Sequence, residues 1–339
     1  MAVPKIYYDG TKDEWVVVHN ETDSGAICFG DCTGSSGNCT GSLPCGDTGV
    51  FGGGLNDMTG IEYITISTLG NAKNFGDLSV GRFGVAATSN GTNDRGVFGG
   101  GVDGDNKASS IIEYIIISTP NKIYNFGNLS IPRMWLAATS NGTYDRGVFG
   151  GGFKNGGRQS IIDYITISLP TNAQNFGNLI SARDYLAATS NGINNRGVFG
   201  GGDNGNNLST IDYIIISTPS NATDFGDLRV KRSQPAATSN GTNDRGVFGG
   251  GYNNISSIDY ITISTPGNAH NFGNLTVGRR GLAATSNGTN DRGVFGGGYD
   301  SDNKALSIIE YITISTPSNA SDFGDLTAGK FGLGATSNA

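Results

Sequence analysis

Residues 89–101 read SNGTNDRGVFGGG. A glycine-rich run after a short apolar strand is the form of a phosphate-cradling loop, in which backbone N–H groups hold the anion. Here no Lys-Ser/Thr follows to complete such a loop, and no helix pattern comes after it. The run also recurs verbatim at 239–251 and 286–298, with near-copies at 140–152 and 190–202. Repetition on that scale belongs to architecture: the glycines are expected to let a strand pack closely at a crowded place and then turn.

Other reactive side chains are few. His19 and His270 are the only histidines and fall in different elements, which argues against a metal centre or acid–base dyad built on imidazole. Neither a Gly-x-Ser-x-Gly elbow nor sialidase-type Asp motifs occur. The four cysteines, Cys28, Cys32, Cys39 and Cys45, share one segment rich in Gly, Ser and Thr. Two disulfides are the first reading, with three pairings to choose among, and they imply an oxidising surrounding. A four-cysteine zinc site is the second, because only Cys28 and Cys32 have the short spacing of a ligand pair. Free thiols are the third. DGDN at 103–106 and DSDN at 300–303 resemble fragments of a calcium loop without its full spacing or terminal Glu, so a solvated turn is preferred to a cation site. No cofactor is otherwise expected.

Composition narrows the class. Gly accounts for 56 of 339 residues, about twice the usual share, and charged residues for only 15%. Turns of Gly, Asn, Ser and Thr alternate with short runs of Ile, Val, Tyr and Phe, the balance of an all-β chain. A net charge of −7 argues against nucleic acid, which needs a basic surface to displace counterions. No run is apolar for long enough to suggest membrane insertion, and the opening MAVPKIYYDGTKDEW lacks the apolar core of a secretion signal. Sequons at Asn90, Asn141 and Asn287 are what an Asn/Ser/Thr-rich chain produces by chance.

The elements that position these residues come from the repeat. GVFGGG begins at Gly49, Gly96, Gly147, Gly197, Gly246 and Gly293, at spacings of 47 to 51 residues. Each copy is followed by an apolar run with a tyrosine (IEYITIST, IIDYITIS), a turn such as TPSNA, then FGDL or FGNL, and finally AATSNGTNDRG. Four short strands bounded by turn residues, six times over, predict a six-bladed β-propeller of four-stranded antiparallel blades. The first GVFGGG lacks a preceding AATSN, and the chain stops at GLGATSNA. The C-terminal strand is therefore expected to complete the first blade.

Gly99–Gly100 ending the second strand, Tyr114 in the third, Phe126 near the fourth and Arg133 before the next blade together resemble the kelch-type propeller, over residues 49–339. The fourth-strand position is Phe (Phe75, Phe126, Phe176, Phe225, Phe272, Phe323) where that family has Trp, which marks a divergent relative. The Arg before each blade (Arg82, Arg133, Arg183, Arg232, Arg279) and the Arg opening strand two (Arg95, Arg146, Arg196, Arg245, Arg292) recur as scaffold. They are expected to pair with Asp94, Asp145, Asp244 and Asp291 or with carbonyls between blades.

The six copies also differ in an organised way. The SNGTNDRG and STPSNA turns barely change, whereas the loops after GGG and the pieces before AATSN differ in every blade. Both variable sets should leave an antiparallel blade on the same face. That face collects Phe83, Trp135, Tyr185, Tyr252, Tyr299, Phe331 and Phe153 with Arg158 and Arg280, residues suited to recognition on a rigid frame.

Residues 1–48 open with a strand-turn-strand, KIYYDGTKDEWVVV, resembling the starts of bacteriophage tail and fibre proteins. The combined expectation is a non-enzymatic virion structural protein, a tail, fibre or surface decoration. It would assemble in the host cytoplasm, bind other virion proteins through residues 1–48 and present the propeller to host-surface carbohydrate or protein. An intracellular kelch-type interaction module is the second reading. A carbohydrate-active enzyme is the third, for want of an acid–base constellation.

Overall fold

The computed structural model describes residues 46–338 apart from 92, 143, 155, 193, 242, 288 and 289, together with the backbone of Lys5–Asp9 and Glu14–Val18. The chain divides into two units, residues 1–33 and 34–339. In the first, Lys5–Asp9 pairs antiparallel with Glu14–Val18.

In the second unit, six four-stranded antiparallel sheets form a β-propeller. The second blade is typical: Ala86–Thr88 innermost, then Arg95–Gly99, Ile111–Ile116 and Ile123–Asn128. The first blade takes its innermost strand from the far end of the chain, because Gly334–Ser337 pairs with Thr48–Gly52 in the register Gly334↔Gly52 to Ser337↔Gly49. This latch closes the ring as the sequence predicts. It also gives each sheet a neighbour on both sides, leaving as inner edges only the short innermost strands around the channel.

Blade contacts explain the glycine run. The second strand ends Val-Phe-Gly, and a methyl group placed on that glycine would run into the next blade's phenylalanine: Gly52 against Phe98 at 2.7 Å, Gly99 against Phe149 at 2.6 Å, and so on to Gly296 against Phe51 at 2.8 Å. Each Phe is buried in that notch, a burial worth about 1.5–3 kcal/mol per ring. The centre of the third strand is buried between blades while its ends are half-buried or open, and its half-buried tyrosine packs edge-on against the fourth-strand Phe, as Tyr114 does on Phe126 at 5.9 Å.

Both arginine series are scaffold: the second reaches carbonyls between blades, as expected, whereas neither pairs with the expected aspartates. Arg82, Arg133, Arg183, Arg232, Arg279 and, in the sixth connection, Lys330 are fully buried. Each meets the acid that precedes tyrosine in the third strand: Arg82 with Glu113 at 2.6 Å, Arg133 with Asp163 at 2.6 Å, Arg279 with Glu310 at 2.7 Å, Lys330 with Glu62 at 2.7 Å. Arg82 also donates to the carbonyls of Gly100 and Ile111, both at 2.8 Å. The second series reaches carbonyls of the next blade, Arg95 to Ile167 at 2.7 Å and Arg292 to Ile66 at 2.9 Å. In doing so the guanidinium lies over its own blade's tyrosine, 4.6 Å for Arg95 and Tyr114. Neither series forms an ion pair with Asp94, Asp145, Asp244 or Asp291. Those carboxylates instead accept hydrogen bonds from turn serines and from asparagines of the preceding blade, as Asp145 accepts Asn90 Nδ2 at 2.9 Å and Asn93 Nδ2 at 2.7 Å.

Candidate functional site

The variable segments do share a face. Short antiparallel bridges join five of the six pieces before AATSN to a loop after GGG: Phe83 to Val102, Met134 to Phe153, Asp184 to Asp203, Arg280 to Tyr299, and Leu55 to Phe331 across the latch. In the remaining one, Tyr252 N–H donates to Ser233 O at 2.8 Å. The buried cation stands one residue before this bridge, so every variable tip rests on an ion pair. Two residues beyond the cation, the chain reaches the mouth of the central channel.

There the backbone forms a hoop. Trp135 N–H donates to Gly84 O, Tyr185 to Trp135, Gln234 to Tyr185, Gly281 to Gln234, Gly332 to Gly281 and Gly84 back to Gly332, at 2.6 to 3.0 Å. All six residues are left-handed, with φ between 55° and 69°. Glycine takes that conformation freely, and three of the six are glycine. Trp135, Tyr185 and Gln234 adopt it with side chains attached, at about 1–3 kcal/mol of strain each.

The three glycines make room for the others. A methyl group at Gly84 or at Gly332 would lie 2.8 Å from the Trp135 ring, and one at Gly281 would strike Phe331. The mouth is therefore paved with aromatic rings drawn from four blades. Trp135 tilts on Tyr185 at 4.7 Å, meets Phe83 edge-on at 5.4 Å and reaches Phe331 at 5.5 Å, while Phe331 stacks on Tyr299 at 4.2 Å. A hollow of about 70 Å³ is lined by the hoop residues and the Val, Leu and Pro that follow them. Such pairs contribute about 0.5–1.5 kcal/mol beyond their buried area, which offsets the backbone strain.

Charge is unevenly placed around this floor. Arg158, from the loop after the third GGG, donates Nε to Asp184 at 3.0 Å and Nη2 to Asp203. Burial pushes the Asp184 carboxyl up, with Arg158 pulling the other way. Burial, with Asp184 adding to it, pushes the neighbouring Tyr185 phenol up to about 12. This sector carries two carboxylates to one guanidinium. In the sixth blade Arg280 lies between Tyr252 and Tyr299, 5.1 and 5.8 Å from their ring centres, and its Nη2 donates to Asn303. Tyr252 is 44% exposed, the most open aromatic of the face.

Of the residues expected to bind, the structure brings Phe83, Trp135, Tyr185, Tyr299, Phe331, Arg280 and Tyr252 into one connected cluster. It places Arg158 beside Tyr185 in an ion network. Phe153 is bridged to Met134. Sequence reasoning missed the hoop, Gln234, and the acids Asp184 and Asp203. The six copies of the residue two before the innermost AAT-type strand, Gly, Trp, Tyr, Gln, Gly, Gly, held the signal, since three glycines at one position point to a positive φ. All four cysteines, and His19, lie outside the described residues. Asp103 and Asp300 each accept two backbone N–H groups of their own loop, an Asx turn that engages the carboxylate locally. Among the described residues no three His, Cys, Asp or Glu side chains gather as metal ligands would.

The opposite mouth is lined by Thr, Ser, Asn and Gly around a cavity of about 240 Å³. Its turn asparagines are buried with their amides committed to the next blade's Asp, as Asn287 Nδ2 is to Asp47 at 2.7 Å. A sequon asparagine so held cannot carry a glycan in the folded chain.

No family model matches this chain, and no curated protein matches it. What stands is an all-β, six-bladed propeller with a variable face, an architecture that suggests an interaction module.

Proposed function

We propose that this protein is a non-enzymatic structural component of a virion, in a tail, a fibre or a surface decoration, and a divergent kelch-type propeller. Its variable mouth recognises carbohydrate or protein on a host surface, and residues 1–48 join it to the particle. The observation that carries the recognition reading is the aromatic floor over a left-handed hoop. Trp135 and Tyr185 hold costly backbone conformations at a mouth where three sister positions are glycine, and strain of that kind collects at ligand clamps. Rigid aromatic rings contribute large contact area with little side-chain entropy to lose. The low charge and the polar Gly/Asn/Thr exterior fit display outside a cell. The likeness of KIYYDGTKDEW to tail and fibre starts supports attachment through the N-terminal segment.

The test is to label the full chain and expose it to candidate host cells and to arrays of surface glycans and proteins. Saturable binding that is lost in Trp135→Ala and Tyr185→Ala is the expected result. Absence of saturable binding on every surface would overturn the recognition role.

A further inference from the structure

We propose that the variable mouth takes a carboxylated saccharide, its ring laid on the aromatic floor and its carboxylate received by Arg280. This rests on the recognition reading above and narrows it to one ligand chemistry.

Arg280 is the cation of this floor that has no acid. Among the described residues its guanidinium meets no carboxylate, and its hydrogen bonding is limited to the Nη2 donation to Asn303. Contrast the third-loop Arg158, which is claimed by both Asp184 and Asp203, and the six cations beneath the tips, each paired with a buried acid. A guanidinium presents five N–H donors in a planar fork matched to a carboxylate. Tyr252 and Tyr299 both lie within cation–π reach of that fork, so little rotamer freedom is lost when an anion arrives.

The saccharide part follows from what surrounds Arg280. Tyr299 stacks on Phe331, and Phe331, itself buried, leads to Trp135, so that the half-buried Tyr299 and Trp135 present the accessible parts of an apolar strip running from the guanidinium to the centre of the mouth. The C–H faces of a pyranose ring suit such a strip, whereas an anion without a ring would leave it unused. The orientation is set by charge. The fourth-blade sector holds a surplus carboxylate, with Asp184 buried and Asp203 partly open; it repels the acid group, and Asp203 accepts from hydroxyls. Carboxylate toward the sixth blade and hydroxyls toward the fourth is the complementary placement.

Two sources carry this chemistry, sialic acids and uronic acids, and the test separates them. Binding of the full chain to sialyllactose is compared with lactose, and binding to a hyaluronan hexasaccharide with its carboxyl-reduced form, for wild type, Arg280→Gln and Arg280→Lys. One acidic member should bind at least about tenfold more tightly than its neutral counterpart, with the preference weakening as salt is raised. Arg280→Gln should erase that preference, Arg280→Lys should retain part of it, and both variants should stay folded, since the side chain forms no ion pair in the fold and only its ring contacts and the bond to Asn303 are lost. Equal binding of acidic and neutral sugars, or an unchanged preference in Arg280→Gln, would overturn the inference and leave the recognition role in place. So would binding of a host protein through Trp135 with neither acidic sugar bound. Absence of any ligand at this mouth would overturn both.

Discussion

The two mouths of the channel share six innermost strands and one backbone path, and they use their side chains in opposite ways. At the regular mouth, asparagines, serines and aspartates spend their hydrogen-bonding groups on the next blade. Asn191 and Asn194 both donate to Asp244, at 3.2 and 2.6 Å, and Asn240 and Asn243 both donate to Asp291, at 2.7 Å. A substitution there breaks a contact that recurs around the ring, so the copies stay alike. At the variable mouth a backbone ladder, the hoop with the short bridges, recurs around the ring, and side-chain bonds between blades such as Arg158 to Asp203 are particular to one sector. Side chains are then free to differ, and Trp, Tyr, Gln and Gly can occupy one position without opening the ring. Uniformity marks where the fold uses the side chains; variation marks where it does not need them.

That contrast depends on the buried cations under the variable tips, and removing one acid is the hardest blow. Asp163→Leu leaves Arg133 fully buried without its partner and should cost about 3–5 kcal/mol in urea unfolding. Arg133→Met combined with Asp163→Leu should recover much of that loss, because the isolated charge is what costs most. A single-variant loss under about 1 kcal/mol would show that the tips do not stand on this pair.

A smaller effect sharpens the hoop. Trp135→Gly should be more stable than Trp135→Ala by about 1 kcal/mol, since the two lack the same ring and differ in tolerance of a positive φ. Equal stabilities would mean the hoop relaxes when the ring is gone, and the strain argument would fail with it.

The smallest effect is in pH. Burial pushes the carboxyls of Glu113, Asp184 and Asp212 up, against Arg82, Arg158 and Arg183 respectively. Each carboxyl keeps its proton to higher pH when folded than when unfolded. Its contribution to stability is therefore full below the unfolded value of about 4, and is lost as pH rises through the folded value. Asp184→Asn removes one such contribution at the variable mouth only. Its stability should climb more steeply than wild type as pH rises from about 4, read from denaturation midpoints at several pH values. An unaltered slope would show that Asp184 is not buried against its charge.

The fold was legible in the sequence to a large extent because it is periodic. GVFGGG, the acid-Tyr run and FGDL recur near 50-residue spacing, and the orphan GLGATSNA pairs with the orphan Thr48–Gly52. The alternation of constant and variable turns was enough to locate a face and most of its aromatics. What stayed hidden is what depends on contacts between blades. The acid before tyrosine sits in every third strand, yet its partner lies about thirty residues earlier, and Asp94 and its equivalents were nearer in sequence and looked like better partners. The meeting of Phe331 with Gly281, or of Trp135 with Gly332, joins positions roughly fifty and two hundred residues apart, and no local pattern encodes it. The reach of Arg158 to Asp184 and Asp203 depends likewise on how a long loop folds over its neighbour.

The central claim is that recognition belongs to the variable mouth and not to the regular one, and each mouth offers an aromatic side chain to remove. Tyr144, on the regular face, is 42% exposed, and Trp135 centres the other. Binding of wild type, Trp135→Ala and Tyr144→Ala to the same host surface, at matched folded concentration, separates the two. The account predicts that Trp135→Ala loses binding at least about tenfold while Tyr144→Ala stays at the wild-type level. Loss in Tyr144→Ala with Trp135→Ala unaffected would contradict it.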